Sequence, residues 1–125
     1  MVSSRTAVLN IAAYGFAAIF TLFGLRAFLQ PTYALEFFEL SAPATAADRR
    51  ILNTLLHIYG AREIFKGVAI WAAALVGTQK SLAMTLIAAG GVAFVDGVAC
   101  FSHEQGHWNH WLYAPVIWSV GVLLL

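Results

Sequence analysis

The sequence predicts an all-α integral membrane protein: an antiparallel four-helix bundle with a short interfacial helix between the first two spans. Three observations carry this. Hydrophobic residues make up 61% of the 125 residues and charged residues only 10%, against roughly 25% charged in an ordinary soluble domain. The mean hydropathy is +0.78, so little polar surface is left to face water. The apolar residues also fall into four runs, each close to the ~20 residues that a helix needs to cross a bilayer. At this length they form a single domain, residues 1–125.

The first run, residues 6–29, spans about 36 Å as a helix, enough for a ~30 Å hydrocarbon core. It is longer than the ~7–15 apolar residues of a secretory signal, and the first small-residue cleavage pattern, Ala44-Thr45-Ala46, lies well past its end. A retained helix is therefore expected. Pro31 then opens a short helix whose apolar residues, from Tyr33 to Leu40, cover a wide arc. Glu36 and Glu39 share the remaining arc, the pattern of a helix lying in the membrane interface. Pro43 stops it, and Thr45 with Asp48 three residues on reads as a capping box for the next helix.

That helix, residues 46–76, is the unusual one, because Asn53, His57, Arg62, Glu63 and Lys66 interrupt its apolar frame. A polar turn at Gly77 to Lys80 leads to the third span, residues 81–101, which carries one charge, Asp96. The polar, aromatic turn Ser102 to His110 precedes the last span, residues 108–125, which Pro115 should kink. Short connections favour antiparallel neighbours with both chain ends on one side. Gly60 and Gly67 on the second span, and Gly90, Ala93 and Gly97 on the third, offer close-packing faces. Arg5 and Lys80 mark one membrane side and Arg49 and Arg50 the other, so the positive-inside count is nearly tied.

The same composition excludes several functions. A net charge of +1 supplies no basic surface for nucleic acid. A single cysteine, Cys100, cannot form an internal disulfide. Charges inside the spans cost several kcal/mol each unless paired or hydrated, which points to a cavity or to ion pairs. Asp96, Cys100 and His103 share a face at i, i+4 and i+7, so the carboxylate points toward the histidine-rich turn. Tyr59, Glu63 and Lys66 lie on one arc with Arg62 at its border, and His57 lies on another. Arg62 with Asp96, and Glu63 with Lys66, also suit internal salt bridges that only fix packing.

His103-Glu104-Gln105-Gly106-His107 matches H-E-x-x-H, with His110 three residues on. On a helix the histidines would share a face and hold zinc. Here the string crosses a turn containing Gly106, which breaks that register. No metal is expected, and Trp108 and Trp111 read as interfacial anchors.

Gly24 with Arg26 and Pro31, the run Tyr59-Gly60-Ala61-Arg62-Glu63 with Gly67, then Val95-Asp96-Gly97, and His110-Trp111 with Pro115 together form a pattern. It resembles a family of small four-helix integral membrane proteins, common in fungi and present in bacteria, catalogued only as a domain of unknown function. The resemblance covers most of the chain. Some fungal relatives sit among natural-product biosynthesis genes, so the resemblance implies a membrane enzyme whose reaction it does not name. It points first to Arg62, Asp96 and His110, with Glu63 after them. The H-E-x-x-H string is not part of that pattern.

The expected function is an intramembrane isomerase or cyclase acting by proton transfer on a lipophilic small molecule. Asp96 or Glu63 would give the proton, and His110 or His57 would take it. Arg62 would orient a polar substrate group, with Arg26 near the same end. Tyr59, Trp108 and Trp111 would wall the pocket and stabilise a developing cation. No haem, flavin or nucleotide motif is visible, so no cofactor is expected. The bilayer is the surrounding partner, in the endoplasmic reticulum if the source is eukaryotic. The alternative is a non-catalytic carrier, acting as a homodimer, or an assembly subunit whose buried charges are structural.

Overall fold

The computed structural model describes residues 4–125, and the described residues are helical with no strand. Six helices follow in order: α1 (Ser4–Leu29), α2 (Pro31–Phe38), α3 (Ala46–Val76), α4 (Gln79–Phe101), α5 (His107–Trp111) and α6 (Ala114–Leu124). Two of them, α1 and α4, are long and apolar enough to cross a membrane.

Local chemistry sets each boundary. Pro31 disfavours helical backbone in the residue before it, and Gln30 accordingly sits at φ −133°, separating α1 from α2. Glu39 closes α2 in the left-handed region at φ 57°. Thr45 caps α3 by accepting from the Asp48 N–H at 3.1 Å. Its hydroxyl donates to the Asp48 carboxylate at 2.6 Å, so the box closes through the two side chains. At α4 the box is reciprocal: Thr78 accepts from the Ser81 N–H, and Ser81 Oγ accepts from the Thr78 N–H. That second box starts α4 two residues before the expected Ser81.

The last run differs from the single kinked helix expected over 108–125. It is broken at Leu112 and Tyr113 into α5 and α6. Pro115 lacks the N–H that would bond to the Trp111 carbonyl, and its ring crowds that same carbonyl.

The helices alternate in direction. Gln79 Nε2 donates to Leu124 O at 2.8 Å, placing the end of α6 beside the start of α4. Asn10 of α1 lines a small pocket with Gly77 and Gln79, so the first turns of α1 and the end of α6 lie at this end. At the opposite end the Gly106 N–H donates to Glu39, and Asn109 Nδ2 donates to Phe37 O at 2.8 Å. Packing divides the bundle into two pairs, α1 with α3 and α4 with α6, and α3 meets α4 more sparingly. Two apolar clusters form the core. One, toward the chain ends, centres on Ala17, Phe20, Ile70, Leu86 and Ile117. The other gathers Ala27, Leu35, Leu56 and Tyr59 under α2. The buried charges sit between them.

Candidate functional site

The charges form a ladder across the α3–α4 seam. Arg62 Nη2 lies 2.8 Å from Asp96 Oδ2 and 3.9 Å from Glu63 Oε1, and Lys66 Nζ lies 2.8 Å from the same Glu63 oxygen. Helical side chains lean toward the helix N-terminus, so Arg62 leans along α3 toward the turn end, where Asp96 lies about 7.5 Å from the end of α4. Burial is unequal: Glu63 is 1% exposed and Lys66 6%, while the Arg62 side chain is 42% exposed. The four formal charges sum to zero. The Glu63–Lys66 contact is a close, buried ion pair, and it leaves donor capacity on Lys66 unfilled.

Glu63 also lines a cavity of about 160 Å³ that is otherwise aromatic and aliphatic. Phe16, Ile19, Phe20 and Phe23 of α1, Phe37 of α2, and Tyr59 and Tyr113 complete the wall. Ile19 is 61% exposed, so the mouth opens on the outer face of α1. A cavity of about 150 Å³ holds benzene, so this one fits a single ring or an equivalent branched segment. The rings pack edge to face around it, Phe23 against Phe37 at 5.1 Å and against Tyr59 at 6.1 Å. Lys66 Nζ stands 4.3 Å over the Phe20 ring, directly behind that wall. This is an apolar chamber with one carboxyl group and two phenols.

Asp96 belongs to a different chamber. With Cys100, His103, Gln105 and Phe38 it lines a pocket of about 210 Å³ at the turn end. The shared face of Asp96, Cys100 and His103 is thus present. The expectation that Arg62, Asp96 and His110 act together on one substrate needs correction. Arg62 does pair with Asp96, but His110 lines neither chamber. It is fully buried, packed against Phe37 and Phe38 at 4.8 and 5.1 Å. Its Nδ1 donates to Gly106 O at 3.2 Å, with Cys100 Sγ 3.8 Å away. The reason is the turn: α5 begins at His107, and its one-turn geometry carries His110 inward under α2 instead of toward α3.

Other expected residues lie apart from the aromatic chamber. His57 is exposed and meets the edge of Phe28 at 5.2 Å. Arg26 sits over the Tyr33 ring at 3.6 Å, bracing α1 on α2. Trp108 is 63% exposed. Trp111 lies against Gly97, where a Cβ would collide with the indole, and donates to Phe94 O at 3.2 Å. Of the expected binding residues only Tyr59 walls the chamber. In the H-E-x-x-H string, Glu104 at φ 58° and Gly106 at φ 69° reverse the chain. Among the described residues no three His, Cys, Asp or Glu side chains are grouped to hold a metal.

The aromatic wall was missed in the sequence although part of it was signalled: Phe16, Phe20 and Phe23 follow i, i+4, i+7 on α1. Tyr113 sits three residues after His110 but outside regular helix, and Phe37 reaches the chamber only through the placement of α2.

A family model, that of a domain of unknown function, DUF4267, matches residues 17–124. The chain belongs to this family. The match runs from α1 to the end of α6 and takes in every residue of the ladder and nearly all of the chamber wall, Phe16 excepted. No curated protein and no solved structure matches the DUF4267 chain.

Proposed function

We propose that this protein is a multi-pass integral membrane protein whose aromatic chamber takes up a lipophilic small molecule from the bilayer, and that Glu63 acts on it by proton transfer. In this reading α1, α3, α4 and the α5–α6 run are the four crossings, and α2 lies in the interface. Support for the crossings comes from the outer surface, where Ile11, Leu22, Ile58, Phe65, Val95 and Val122 are all exposed. A surface of this kind suits hydrocarbon better than water.

The observation that carries the catalytic reading is a carboxyl group in the wall of an otherwise apolar chamber that opens sideways. Substrate would enter laterally through the mouth at Ile19. Glu63 would give or take a proton at carbon, and Lys66 at 2.8 Å would balance the charge. The faces of Phe20, Phe23 and Phe37 would stabilise a developing carbocation. That chemistry suits an isomerase or cyclase. The test uses purified protein in lipid nanodiscs, given a lipid extract of its host in heavy water. Products carrying deuterium, formed by the native protein and lost with Glu63→Gln, support the reading. Deuterated product from Glu63→Gln at the native rate overturns it.

A second reading, non-catalytic, is favoured by the pairing of all four charges. Arg62 and Asp96 bridge the two helix pairs where apolar contact is sparse. For those two residues a fastening role is sufficient, and a carrier or assembly subunit would need no more.

A further inference from the structure

Lys66 is a buried amine to which proton transfer by Glu63 assigns only charge balance. We propose that Lys66 is a carbonyl-binding residue: its ε-amine forms a reversible Schiff base with a lipophilic aldehyde or ketone seated in the aromatic chamber, and Glu63 serves as the acid and counter-ion. The proposal rests on the chamber being a ligand site and names the class of ligand.

Four observations converge. Nζ is buried and Glu63 is its one charged partner, so an ammonium group with three donors has little polar company there. It stands 4.3 Å over Phe20 and 2.8 Å from Glu63, and both of these residues line the chamber. A small shift of a flexible side chain would therefore bring it through the wall. The Glu63 contact lets one proton move between the two groups, and with the proton on Glu63 the amine is a nucleophile. Lys66 also lines a separate cavity of about 140 Å³ between α3 and α4, beside Ala69 and Thr85, which gives released water a place to go.

The chemistry balances without any outside reagent. Lys66 passes a proton to Glu63, and its lone pair bonds to the carbonyl carbon as the C=O π pair moves to oxygen. Glu63 gives its proton to that oxygen and takes one from the nitrogen, which leaves a carbinolamine beside a neutral acid. Glu63 then protonates the hydroxyl, which departs as water while the nitrogen lone pair forms the C=N bond. A positive iminium now faces a carboxylate, replacing the original ammonium charge for charge. The ladder keeps its zero sum, so the bond can form in an apolar site without creating an unpaired charge.

The chain contains two lysines, Lys66 and Lys80, so the site of any adduct is read directly. The full-length protein in nanodiscs is incubated with 4-isopropylbenzaldehyde, trapped with cyanoborohydride and mapped by peptide mass spectrometry. Lys66 should be alkylated about tenfold or more over the exposed Lys80, because the chamber supplies proximity. Lys66→Arg should abolish the chamber adduct, and Glu63→Gln should slow it about 10²-fold. Alkylation of Lys66 no faster than Lys80 overturns the proposal, and the native map decides this even where a variant fails to fold. Binding of 4-isopropylbenzyl alcohol, which cannot form an imine, is measured in parallel by native mass spectrometry. Alcohol bound with Lys66 unmodified removes the lysine proposal and leaves the chamber reading intact. Neither compound bound removes both.

Discussion

Gly24 and Gly60 cross backbone to backbone. A Cβ added to Gly24 would lie 2.7 Å from the Gly60 carbonyl oxygen, and one added to Gly60 would lie 3.0 Å from the Gly24 oxygen and 2.8 Å from the Phe28 nitrogen. The crossing sets the distance between α1 and α3, and therefore the width of the chamber these helices share with Glu63. The obstructing atoms are backbone, so a methyl group cannot be accommodated by a side-chain rotation. Gly60→Ala should lose about 1–3 kcal/mol despite alanine's better helix propensity. Gly91 faces open space, and Gly91→Ala should gain a few tenths up to about 1 kcal/mol. Thermal unfolding of both variants in detergent checks the pair. Equal melting temperatures would mean that the α1–α3 crossing does not control stability.

The Arg62–Asp96 bridge joins the two helix pairs, and its worth is measured by a double-mutant cycle. The Arg62 side chain is 42% exposed, which limits the coupling to about 1 kcal/mol. Asp96→Asn alone should lower stability, and adding Arg62→Gln should restore most of it. An additive double mutant would show that the two charges do not stabilise one another, and would free Asp96 for chemistry in its own pocket.

Much of the fold was legible because it was written in local signals. Pro31, Thr45 with Asp48, and the Gly77 turn each act within a few residues, and α3 occupies the expected 46–76. The reciprocal Thr78–Ser81 box was overlooked because serine stands in the place of glutamate. The site was less legible. Glu63, Lys66 and Tyr59 could be placed on one arc of α3 by spacing alone. Nothing in spacing says which neighbour that arc faces, and the aromatic wall comes from three other segments. His110 was grouped with Asp96 because an antiparallel bundle can bring that turn beside α4, and spacing does not say which way the turn faces. Two left-handed residues, Glu104 and Gly106, send it beneath α2 instead.

The four-crossing topology proposed above can be tested by labelling. In a Cys100→Ser background, single cysteines replace Ala44, Gln79 and Gln105. Ala44 and Gln105 should react with an impermeant maleimide from the same membrane face, and Gln79 from the other. Reaction of all three from one face would end the four-crossing reading.

The last prediction concerns the closure of the chamber by α2. Phe37 supplies one wall, and the end of α2 is fixed to the 102–109 turn at three points. Glu39 accepts from the Gly106 N–H at 2.9 Å, Asn109 donates to Phe37 O at 2.8 Å, and Gly106 packs against the Phe38 backbone. Gly106 has φ 69°, and a Cβ there would lie 2.5 Å from Phe38 O. Gly106→Ala therefore meets two penalties. The left-handed backbone costs a non-glycine residue about 1–2 kcal/mol, and the methyl group pushes α2 off the turn. Glu39→Gln keeps an acceptor oxygen and loses only the charge assistance, so its effect should be smaller. Hydrogen exchange should rise across 31–38 in Gly106→Ala, with α4 unchanged, and a ligand bound in the chamber should dissociate faster. Glu39→Gln should show the same pattern at reduced amplitude. If exchange across 31–38 stays at the native level in both variants, the burial of Ala34 and Leu35 against α1 and α3 is what holds α2, and the turn does not govern entry to the chamber.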